Sequence, residues 1–381
     1  MHELEPDVEL NSPFGKFLLR RWPVVPQDKL RAWDAADVLL LDYVAQNIRP
    51  GSRLLIINDT HGALATALNE WHPVSWGDSV VSFLALSENL KRNQVNEHPV
   101  TFPSTGVPCG TFDAVLVRVP KTTALLTDQL LKLRGLLHSD SVVVGGAMVK
   151  HLQKSAFTAF EQCIGPVATS LAVKKARLIF SQFQSDIKVP ASAALVTYTD
   201  PDTGLTLDSL PNVFSRDRLD HGARFFMSRF AELPHARHVI DLGCGNGVLG
   251  IYLQTNRTEA HVTYVDESFF AVESARLNHQ RVFAVDAQNA TFIAGDKLDS
   301  QLEGSADLIL CNPPFHQQHV VGQQIALAMF NDSRRVLRQG GQLWVIANRH
   351  LDYPLPLKRM FGLCTTVASN DKFRIYKVKK R

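Results

Sequence analysis

The second half of the chain alternates short apolar runs with stretches that have helical spacing. Short apolar runs bounded by turn residues predict buried strands, and a strand–helix alternation predicts a parallel sheet covered by helices on both faces. Two later runs, residues 365–368 and 373–378, flank a turn and predict a terminal hairpin. The five strands predicted for the parallel sheet are residues 239–242, 261–265, 291–294, 306–311 and 342–347.

The first half of the chain repeats this order of segments. A repeat on this scale indicates two copies of one structural unit. We therefore predict an α/β protein with two tandem Rossmann-like domains that arose by duplication. The matched segments are residues 32–37 with 218–223, 54–64 with the first strand and its loop, 76–79 with 265–268 (Asp78 near Asp266), 112–121 with the fourth strand and its end, and a second hairpin around 169–183.

The length of the chain also indicates two domains. It has 381 residues, and about 150 residues per domain is a usual expectation. Alternating runs at 195–199 and 205–208 flank the turn at 200–204, which predicts a small hairpin at the junction. The predicted division is a first domain at 1–185, a linker with the hairpin at 186–211 and a second domain at 212–381.

Composition is typical of a globular protein, with 45% hydrophobic and 20% charged residues. No apolar run approaches the roughly 18 residues that span a bilayer. The N-terminus, Met-His-Glu-Leu-Glu, is acidic where a signal peptide is basic, so we expect a cytoplasmic protein. The net charge of +3 permits a nucleic-acid partner without requiring one.

Neither the cysteines nor the histidines form a pattern typical of a metal site. The five cysteines are scattered without a Cys-x-x-Cys pair, so we expect small buried side chains in a reducing compartment. His316 and His319 are three residues apart, but no carboxylate or cysteine follows at ligand spacing. We therefore predict that the protein holds no metal.

The strongest chemical signal is Asn312-Pro313-Pro314-Phe315, which follows the predicted strand 306–311. Open α/β sheets bind ligands at the carboxyl ends of their strands. The Asn312 amide oxygen can accept one hydrogen of an exocyclic amine, the Pro313 carbonyl can accept the second, and Phe315 offers a ring for stacking. The alternative is that the two prolines only end the strand. In this context we favour a site that holds the amine of a planar base towards an electrophilic methyl group.

A glycine loop follows the first predicted strand, and two aspartates follow the next two strands. The loop reads G-x-G-x-G rather than the G-x-G-x-x-G of dinucleotide binders. Asp266 can accept from ribose hydroxyls and Asp296 from an adenine amine. Two carboxylates suit a nucleoside without phosphates, which favours S-adenosylmethionine over NAD. The predicted cofactor-binding residues are Asp241, Gly243, Cys244, Gly245, Asn246, Gly247, Asp266, Glu267 and Asp296.

These motifs resemble those of the class I methyltransferases, and Asn-Pro-Pro-Phe resembles the branch that methylates exocyclic or amide nitrogens. Residues 213–216, 219–222, 312–316 and 347–351 resemble the bacterial ribosomal RNA guanine-N2 methyltransferases of the RsmC/RlmG family. In this family the region around Phe214 and Asp220 helps to close the pocket, so both are carried as pocket residues. The length and the stretches 32–37, 315–319 and 348–353 favour the large-subunit branch.

The resemblance implies methyl transfer from S-adenosylmethionine to N2 of a guanine in 23S rRNA. It implies nucleotide 1835 in the family's numbering. We also expect protein-free RNA as the substrate and a monomeric enzyme. The alternatives are a 16S rRNA guanine, adenine N6, a protein glutamine amide, or an RNA-binding protein without catalysis.

The first half keeps the predicted sheet but not the chemical motifs. Residues 58–62 replace the glycine loop with Asn-Asp-Thr-His-Gly, and residues 118–121 replace the tetrapeptide with Arg-Val-Pro-Lys. We therefore predict a degenerate domain that binds RNA rather than cofactor. The candidate phosphate contacts are Lys91, Arg92, Lys121, Lys174, Lys175 and Arg177, with His316 added from the second half.

Overall fold

The computed structural model describes residues 8–24, 30–192, 194–283, 289–314 and 319–381. The chain divides between Ala194 and Leu195 into two compact units. This boundary lies inside the predicted linker 186–211, and the hairpin after it falls in the C-terminal unit. Among the described residues, no helix has both the length and the apolar character to cross a membrane.

The C-terminal unit opens with the hairpin and continues as alternating strands and helices. A single 3-10 turn, Phe230–Glu232, precedes its sheet. Its elements are β10 (Val196–Thr199), β11 (Thr206–Ser209), α6 (His221–Met227), β12 (His238–Leu242), α7 (Val248–Asn256), β13 (His261–Asp266), α8 (Phe269–Phe283), β14 (Ala290–Ala294), β15 (Ala306–Cys311), α9 (His319–Val336), β16 (Leu337–Asn348), α10 (Pro354–Phe361), β17 (Cys364–Ser369) and β18 (Phe373–Lys379).

The N-terminal unit has the same succession after a short leading hairpin. Its 3-10 turns are Asn69–Trp71, Arg134–Leu136 and Val149–His151. Its elements are β1 (Glu9–Ser12), β2 (Gly15–Leu18), α1 (Ala35–Asn47), β3 (Leu54–Ile57), α2 (Ala63–Ala67), β4 (Val74–Gly77), α3 (Val80–Arg92), β5 (Val100–Pro103), β6 (Ala114–Arg118), α4 (Thr123–Leu133), β7 (Val142–Met148), α5 (Lys154–Cys163), β8 (Val167–Thr169) and β9 (Ala176–Gln182).

Each unit contains one seven-stranded mixed sheet, and the strand orders correspond. The orders are β14-β13-β12-β15-β16-β18-β17 and β5-β4-β3-β6-β7-β9-β8. In both sheets the first five strands are parallel and the last two form an antiparallel hairpin. The predicted fold class and both terminal hairpins are confirmed.

Strand β15 lies at the centre of its sheet and is buried at all six positions, as the apolar run predicts. Alternate residues of the sheet face two cores. Val239 and Leu308 pack on one side with α6, α7 and α8, whereas Ile240 and Ile309 pack on the other with α9 and α10. Because both faces are covered, the ligand-accessible part of β15 is its carboxyl end, where Asn312 follows.

The polar residue inside β15 has its own partners. Asp307 is buried, and its Oδ2 accepts from the backbone N–H groups of Arg237 and His238 at 2.7 and 3.0 Å. Its Oδ1 forms an ion pair with Arg338 Nε at 2.7 Å. A buried carboxylate that is paired in this way joins the starts of β12 and β15 instead of destabilising them.

Candidate active site

The glycine loop joins β12 to α7 at the carboxyl edge of the sheet. Gly243, Gly245 and Gly247 all have positive φ, at 73°, 55° and 82°. A β-carbon on Gly247 would lie 2.8 Å from the Ala275 β-carbon, so this position has neither the backbone nor the space for a side chain. The N–H groups of this loop are largely bonded internally: those of Gly243 and Cys244 to the Val265 carbonyl, that of Gly247 to the Cys244 carbonyl and that of Gly245 to Asp266.

Asp241 links the strand before this loop to the helix after it. It is fully buried, and its Oδ2 accepts from the Gly250 N–H in the first turn of α7 at 2.9 Å. Its Oδ1 is buried without a hydrogen-bond partner among the described residues. Burial raises the pKa of Asp241 to about 7, against the opposing effect of the Gly250 amide. The unpartnered oxygen is suited to a donor group of a bound ligand.

Asp266 is the last residue of the neighbouring strand β13, and it accepts a hydrogen bond from the glycine loop. Its Oδ2 accepts from the Gly245 N–H and its Oδ1 from the Ser268 N–H, both at 3.0 Å. Burial raises the pKa of Asp266, and these amides oppose that shift. The Glu267 N–H also bonds this carboxylate, which leaves at least one of its roughly four lone-pair sites for a hydroxyl donor. The next predicted residue, Glu267, has an exposed side chain.

Asp296 forms an ion pair with the lysine that follows it in the sequence. The carboxylate is buried and forms an ion pair with Lys297 Nζ, whose side chain is 12% exposed. Lys297 has a positive φ of 53°. The sequence analysis treated Asp296 as an acceptor and overlooked the adjacent lysine, which competes for its lone pairs.

Asn312 and Asp220 come together at the end of β15. Asn312 Nδ2 donates to Asp220 Oδ2 over 3.5 Å, while Asn312 Oδ1 is buried without a partner among the described residues. Asp220 is the N-cap of α6, where Oδ2 also accepts from the Ala223 N–H at 2.9 Å. Pro313 is buried and Pro314 is exposed. The structure thus leaves the amide oxygen, the group with the predicted role, as the open acceptor.

Three further residues were predicted for the site. Two of them lie outside the described part of the chain, and the third has an exposed side chain. Phe315 and His316 lie in the segment 315–318 that the structure does not describe. Phe214 is 54% exposed. Asp220, predicted with Phe214 as a pocket residue, contacts the amide of Asn312.

The sequence analysis did not identify the contacts that hold the loop residue Asn246. Its Nδ2 donates to the Tyr198 hydroxyl and to Ser209 Oγ, both at 3.3 Å. Asn278 Nδ2 donates to the Asn246 carbonyl at 2.9 Å, and Asn278 Oδ1 accepts from the Asp208 N–H at 2.6 Å. The hairpin β10–β11 is thereby attached to the loop and to α8. Ser274 and Asn278, polar residues four apart on the buried face of α8, were the available signal.

The two cysteines near the site have no thiolate character. Cys244 and Cys311 are buried, and burial raises the pKa of each thiol far above its ordinary value. Within the described ranges, no group of three or more His, Cys, Asp or Glu side chains has an arrangement for a metal ion.

The two sheets can be aligned residue by residue from their strand registers. Leu242 pairs with Cys311 as Ile57 pairs with Val117, so Arg118 occupies the position of Asn312. The Gly295 N–H bonds to the Asp266 carbonyl as the Ser104 N–H bonds to the Gly77 carbonyl. The predicted match of 76–79 with 265–268 is confirmed, and Asp78 lies one position beyond the counterpart of Asp266. In the N-terminal unit, the positions of Asp241, Gly245, Asp266, Asp296 and Asn312 hold Ile56, Thr60, Gly77, Thr105 and Arg118.

Ion pairs fill the N-terminal counterpart of the site. Arg118 Nη2 contacts Asp34 Oδ2 at 2.9 Å, and Arg118 Nε contacts Asp37 Oδ1 at 3.1 Å. Asp59 is buried in the loop, where its Oδ2 accepts from the Ala65 N–H at 2.8 Å. Burial and the Asp37 charge raise the pKa of Asp59 to about 7. Internal partners therefore occupy the place where the C-terminal unit leaves acceptors open.

The predicted phosphate contacts of the N-terminal unit differ in exposure. Lys91, Lys121, Lys174 and Lys175 are exposed. Arg92 and Arg177 are partly buried, and each has a buried Nε without a partner among the described residues. The four lysines are thus the accessible members of the set.

Two family models match the chain, one in each half. The model for the RLMG N-terminal domain matches residues 7–185, and the model for the methyltransferase small domain matches residues 204–377. The curated proteins that resemble the chain include ribosomal RNA large subunit methyltransferase G of Ectopseudomonas mendocina, 46% identical over 97% of this chain and 99% of that protein. Proteins of the same name from Streptomyces coelicolor and Aeromonas salmonicida are 43% and 41% identical, over 97% and 98% of this chain and 100% and 99% of theirs.

A solved structure has the same fold along nearly the whole chain. It is the T. thermophilus 16S rRNA N2 G1207 methyltransferase (RsmC) in complex with AdoMet and guanosine. The TM-score is 0.76 at 19% sequence identity, over 98% of this chain and 97% of that one. This likeness extends the two-unit architecture to a distant relative.

The raised pKa of Asp241 predicts a pH-dependent cost in stability. Above about pH 3.9 the unfolded chain loses a proton that the folded chain keeps until about pH 7, so folding weakens by about 1.4 kcal/mol per pH unit in that window. Asp241→Asn keeps an oxygen for the Gly250 N–H and removes the titration. In thermal melts of ligand-free protein, the melting temperature of the variant minus that of wild type should increase from pH 5 to pH 7. A constant difference over this range would contradict the assignment.

Proposed function

The chain belongs to the ribosomal RNA large subunit methyltransferase G family, and we propose that it transfers a methyl group from S-adenosylmethionine to N2 of a guanine in 23S rRNA. The observation that carries the proposal is the buried Asn312 amide oxygen, an acceptor without a partner among the described residues at the carboxyl end of β15. The names of the relatives support a large-subunit substrate over 16S rRNA, adenine N6 or a protein amide. The guanosine complex of the structural neighbour supports guanine as the base.

The residues around the glycine loop fit the proposed cofactor. Asp241 offers an unpartnered buried oxygen, Asp266 retains acceptor capacity for ribose hydroxyls, and the glycine loop lacks the basic side chains that phosphates favour. Asp296 can accept from the adenine amine only where its pairing with Lys297 leaves a lone pair. Bound S-adenosylmethionine supplies a methyl group on a positively charged sulfur.

Asn312 and Pro313 hold the amine in the proposed mechanism. The Asn312 Oδ1 accepts one N2 hydrogen and the Pro313 carbonyl accepts the other, which directs the nitrogen lone pair at the methyl group. Such alignment can contribute roughly 7–11 kcal/mol to catalysis. No strong base is needed, since the amine becomes acidic once it is methylated. Phe315 stacks on a base extruded from its neighbours, at a cost of a few kcal/mol.

Asp220 acts on this step through Asn312. Its carboxylate accepts from the amide Nδ2 and lacks a hydrogen to offer the amide oxygen, so the amide is held with Oδ1 towards the amine. The Ala223 N–H fixes the carboxylate in turn at the start of α6. Asp220 is therefore a positioning residue in this proposal.

The N-terminal unit serves as an RNA-binding domain in this proposal. Its counterpart of the site is closed by the Arg118 ion pairs, whereas Lys91, Lys121, Lys174 and Lys175 are exposed for phosphates. The enzyme acts in the cytoplasm as a monomer on protein-free 23S rRNA at nucleotide 1835, and it uses no metal.

Asn312→Ala should abolish transfer, at least about a hundredfold in kcat, because the acceptor that aligns the amine is lost. Its affinity for S-adenosylmethionine should remain within a few-fold of wild type. Labelled transfer to deproteinised 23S rRNA, identification of the modified nucleoside and calorimetric titration with the cofactor measure these effects. Asn256→Ala, an exposed asparagine in α7, is the matched control. Equal loss of turnover and cofactor affinity in Asn312→Ala would oppose the assigned role.

Asp220→Ala should lower kcat about tenfold while the KM for RNA and the cofactor affinity change less than threefold, because the amide then rotates between two orientations. Asp220→Asn keeps the cap of α6 and an acceptor for Nδ2, and it should recover part of kcat. Steady-state kinetics on the folded protein separates the two parameters. If Asp220→Ala lowered the melting temperature but left kcat unchanged, Asp220 would act only as the N-cap of α6.

Asp266→Asn should weaken cofactor binding at least about tenfold, because a hydroxyl acceptor with full charge is lost at the loop. Asp59→Asn, the matched change in the other loop, should leave binding within twofold and the stoichiometry at one cofactor per chain. Calorimetric titration of both variants measures affinity and stoichiometry. Loss of binding in Asp59→Asn, or two cofactors per wild-type chain, would contradict the division of roles between the units.

A further inference from the structure

A groove lies at the carboxyl edge of the C-terminal sheet, formed by the loop after β16 and the turn between β17 and β18. Its volume is about 470 Å³, within the range of about 300–1,000 Å³ found for sites of small ligands. None of its residues takes part in the mechanism above. They are Asn348, Arg349, His350, Asp371, Lys372 and Phe373, which we call the edge groove.

The edge groove begins beside the proposed amine site. Cys311 pairs with Val345 across parallel strands, so Asn312 lies level with Ile346 and close to the end of β16. A β-carbon built on Gly222 would lie 2.9 Å from Asp220 Oδ2 and 3.4 Å from the Phe373 ring. Gly222 thus separates the carboxylate that holds Asn312 from the aromatic wall of the groove.

Hydrogen bonds make the two loops one rigid surface. The Arg349 N–H donates to the Lys372 carbonyl at 2.8 Å. The N–H groups of Lys372 and Phe373 donate to Asn370 Oδ1 at 2.9 and 2.7 Å. The backbone that carries both cations is therefore fixed before any ligand binds, which lowers the entropy lost on binding.

The cations of the groove lack internal counter-ions. Arg349 and Lys372 are exposed, and neither has an ion-pair partner in the part of the chain that the structure describes. By contrast, Arg224, Arg281 and Arg338 of the same unit are bound to aspartates. An arginine and a lysine held at one edge without an anion are suited to phosphate oxygens. The Asp371 carboxylate also lines the groove and opposes an anionic ligand.

The N-terminal unit repeats this loop pair. The Val149 N–H donates to the Lys175 carbonyl at 2.8 Å, as Arg349 does to Lys372. Met148 pairs with Ala176 as Asn348 pairs with Phe373, so Lys150 and Lys175 occupy the positions of His350 and Lys372. Both lysines are exposed. This unit has lost the acceptor asparagine, yet it carries basic residues on the same loops, so their charge serves something other than methyl transfer.

We propose that Arg349 and Lys372 bind backbone phosphates of the RNA strand next to the target nucleotide. Phe373 forms the wall between this strand and Asn312, and the planar guanidinium of Arg349 takes one phosphate in two hydrogen bonds. The proposal rests on the RNA substrate of the proposed function and adds the surface that receives the nucleotides flanking the guanine.

The test uses the full chain with Arg349→Ala and Lys372→Ala combined. Filter binding to deproteinised 23S rRNA should show about tenfold weaker affinity near physiological salt. The slope of log affinity against log salt should fall by about 1 to 2, because two phosphate contacts are removed. Calorimetric affinity for S-adenosylmethionine should be unchanged.

The matched control combines Lys379→Ala and Arg381→Ala, which removes the same charge at the other end of β18 and just beyond it. Since β18 has seven residues, the control lies about 20 Å away. It should bind RNA within twofold of wild type. Asp371→Ala should bind RNA about two- to threefold more tightly, because a repelling charge is removed, and a folding defect cannot produce that gain.

An unchanged salt slope in the double variant, or an equal loss in the control, would overturn the proposal. Failure of the proposed function has a different signature. In that case wild-type protein transfers no methyl group to 23S rRNA, while the binding isotherms still report whether Arg349 and Lys372 contact RNA.

Discussion

The contact between the Asp220 carboxylate and the Asn312 amide determines which end of that amide is open to a ligand. A carboxylate only accepts hydrogen bonds, so it attracts Nδ2 and leaves Oδ1 buried without a partner among the described residues. An unsatisfied buried acceptor costs about 1–3 kcal/mol, and a ligand amine recovers that cost. Asn312 Oδ1 at the end of β15 and Asp241 Oδ1 in β12 share this feature: each is a buried acceptor without a partner among the described residues, at the site proposed for the ligands.

The N-terminal unit keeps the same pairing geometry with different chemistry. Asp34 caps α1 as Asp220 caps α6, and it meets the residue after the fourth strand of its sheet. That residue is Arg118, a donor, so the acidic cap forms an ion pair rather than orienting an amide. Asp37 and Asp59 extend this charged cluster into the space of the lost site. The Arg118 ion pairs stabilise the N-terminal unit, but they leave no open acceptor for a ligand. The unit can therefore keep its fold without a ligand site.

Periodicity and strand-end motifs were sufficient to predict much of the architecture. The apolar run at 306–311 coincides with β15, as predicted, and Ser268 at the start of α8 accepts from the Ala271 N–H. Contacts between residues distant in sequence were not predictable. The pairing of Asp220 with Asn312 spans 92 positions, and Asn278 reaches the glycine loop only because the hairpin β10–β11 packs on α8. Asp296 stays a predicted acceptor; its ion pair with Lys297 was not predicted, since it depends on the lysine side chain turning back onto the aspartate.

The comparison of the two units also separates the requirements of catalysis from those of RNA binding. In the proposed mechanism, methyl transfer needs acceptors in fixed positions, and arginine in place of asparagine removes one of them. Phosphate binding tolerates substitution, because any exposed cation on a fixed backbone contributes. The N-terminal loops carry Lys150 and Lys175 where the C-terminal loops carry His350 and Lys372, with the same backbone hydrogen bond below them. In this proposal the N-terminal unit lacks the acceptors but carries exposed cations on the same scaffold, so its binding of RNA depends on charge rather than on one side chain.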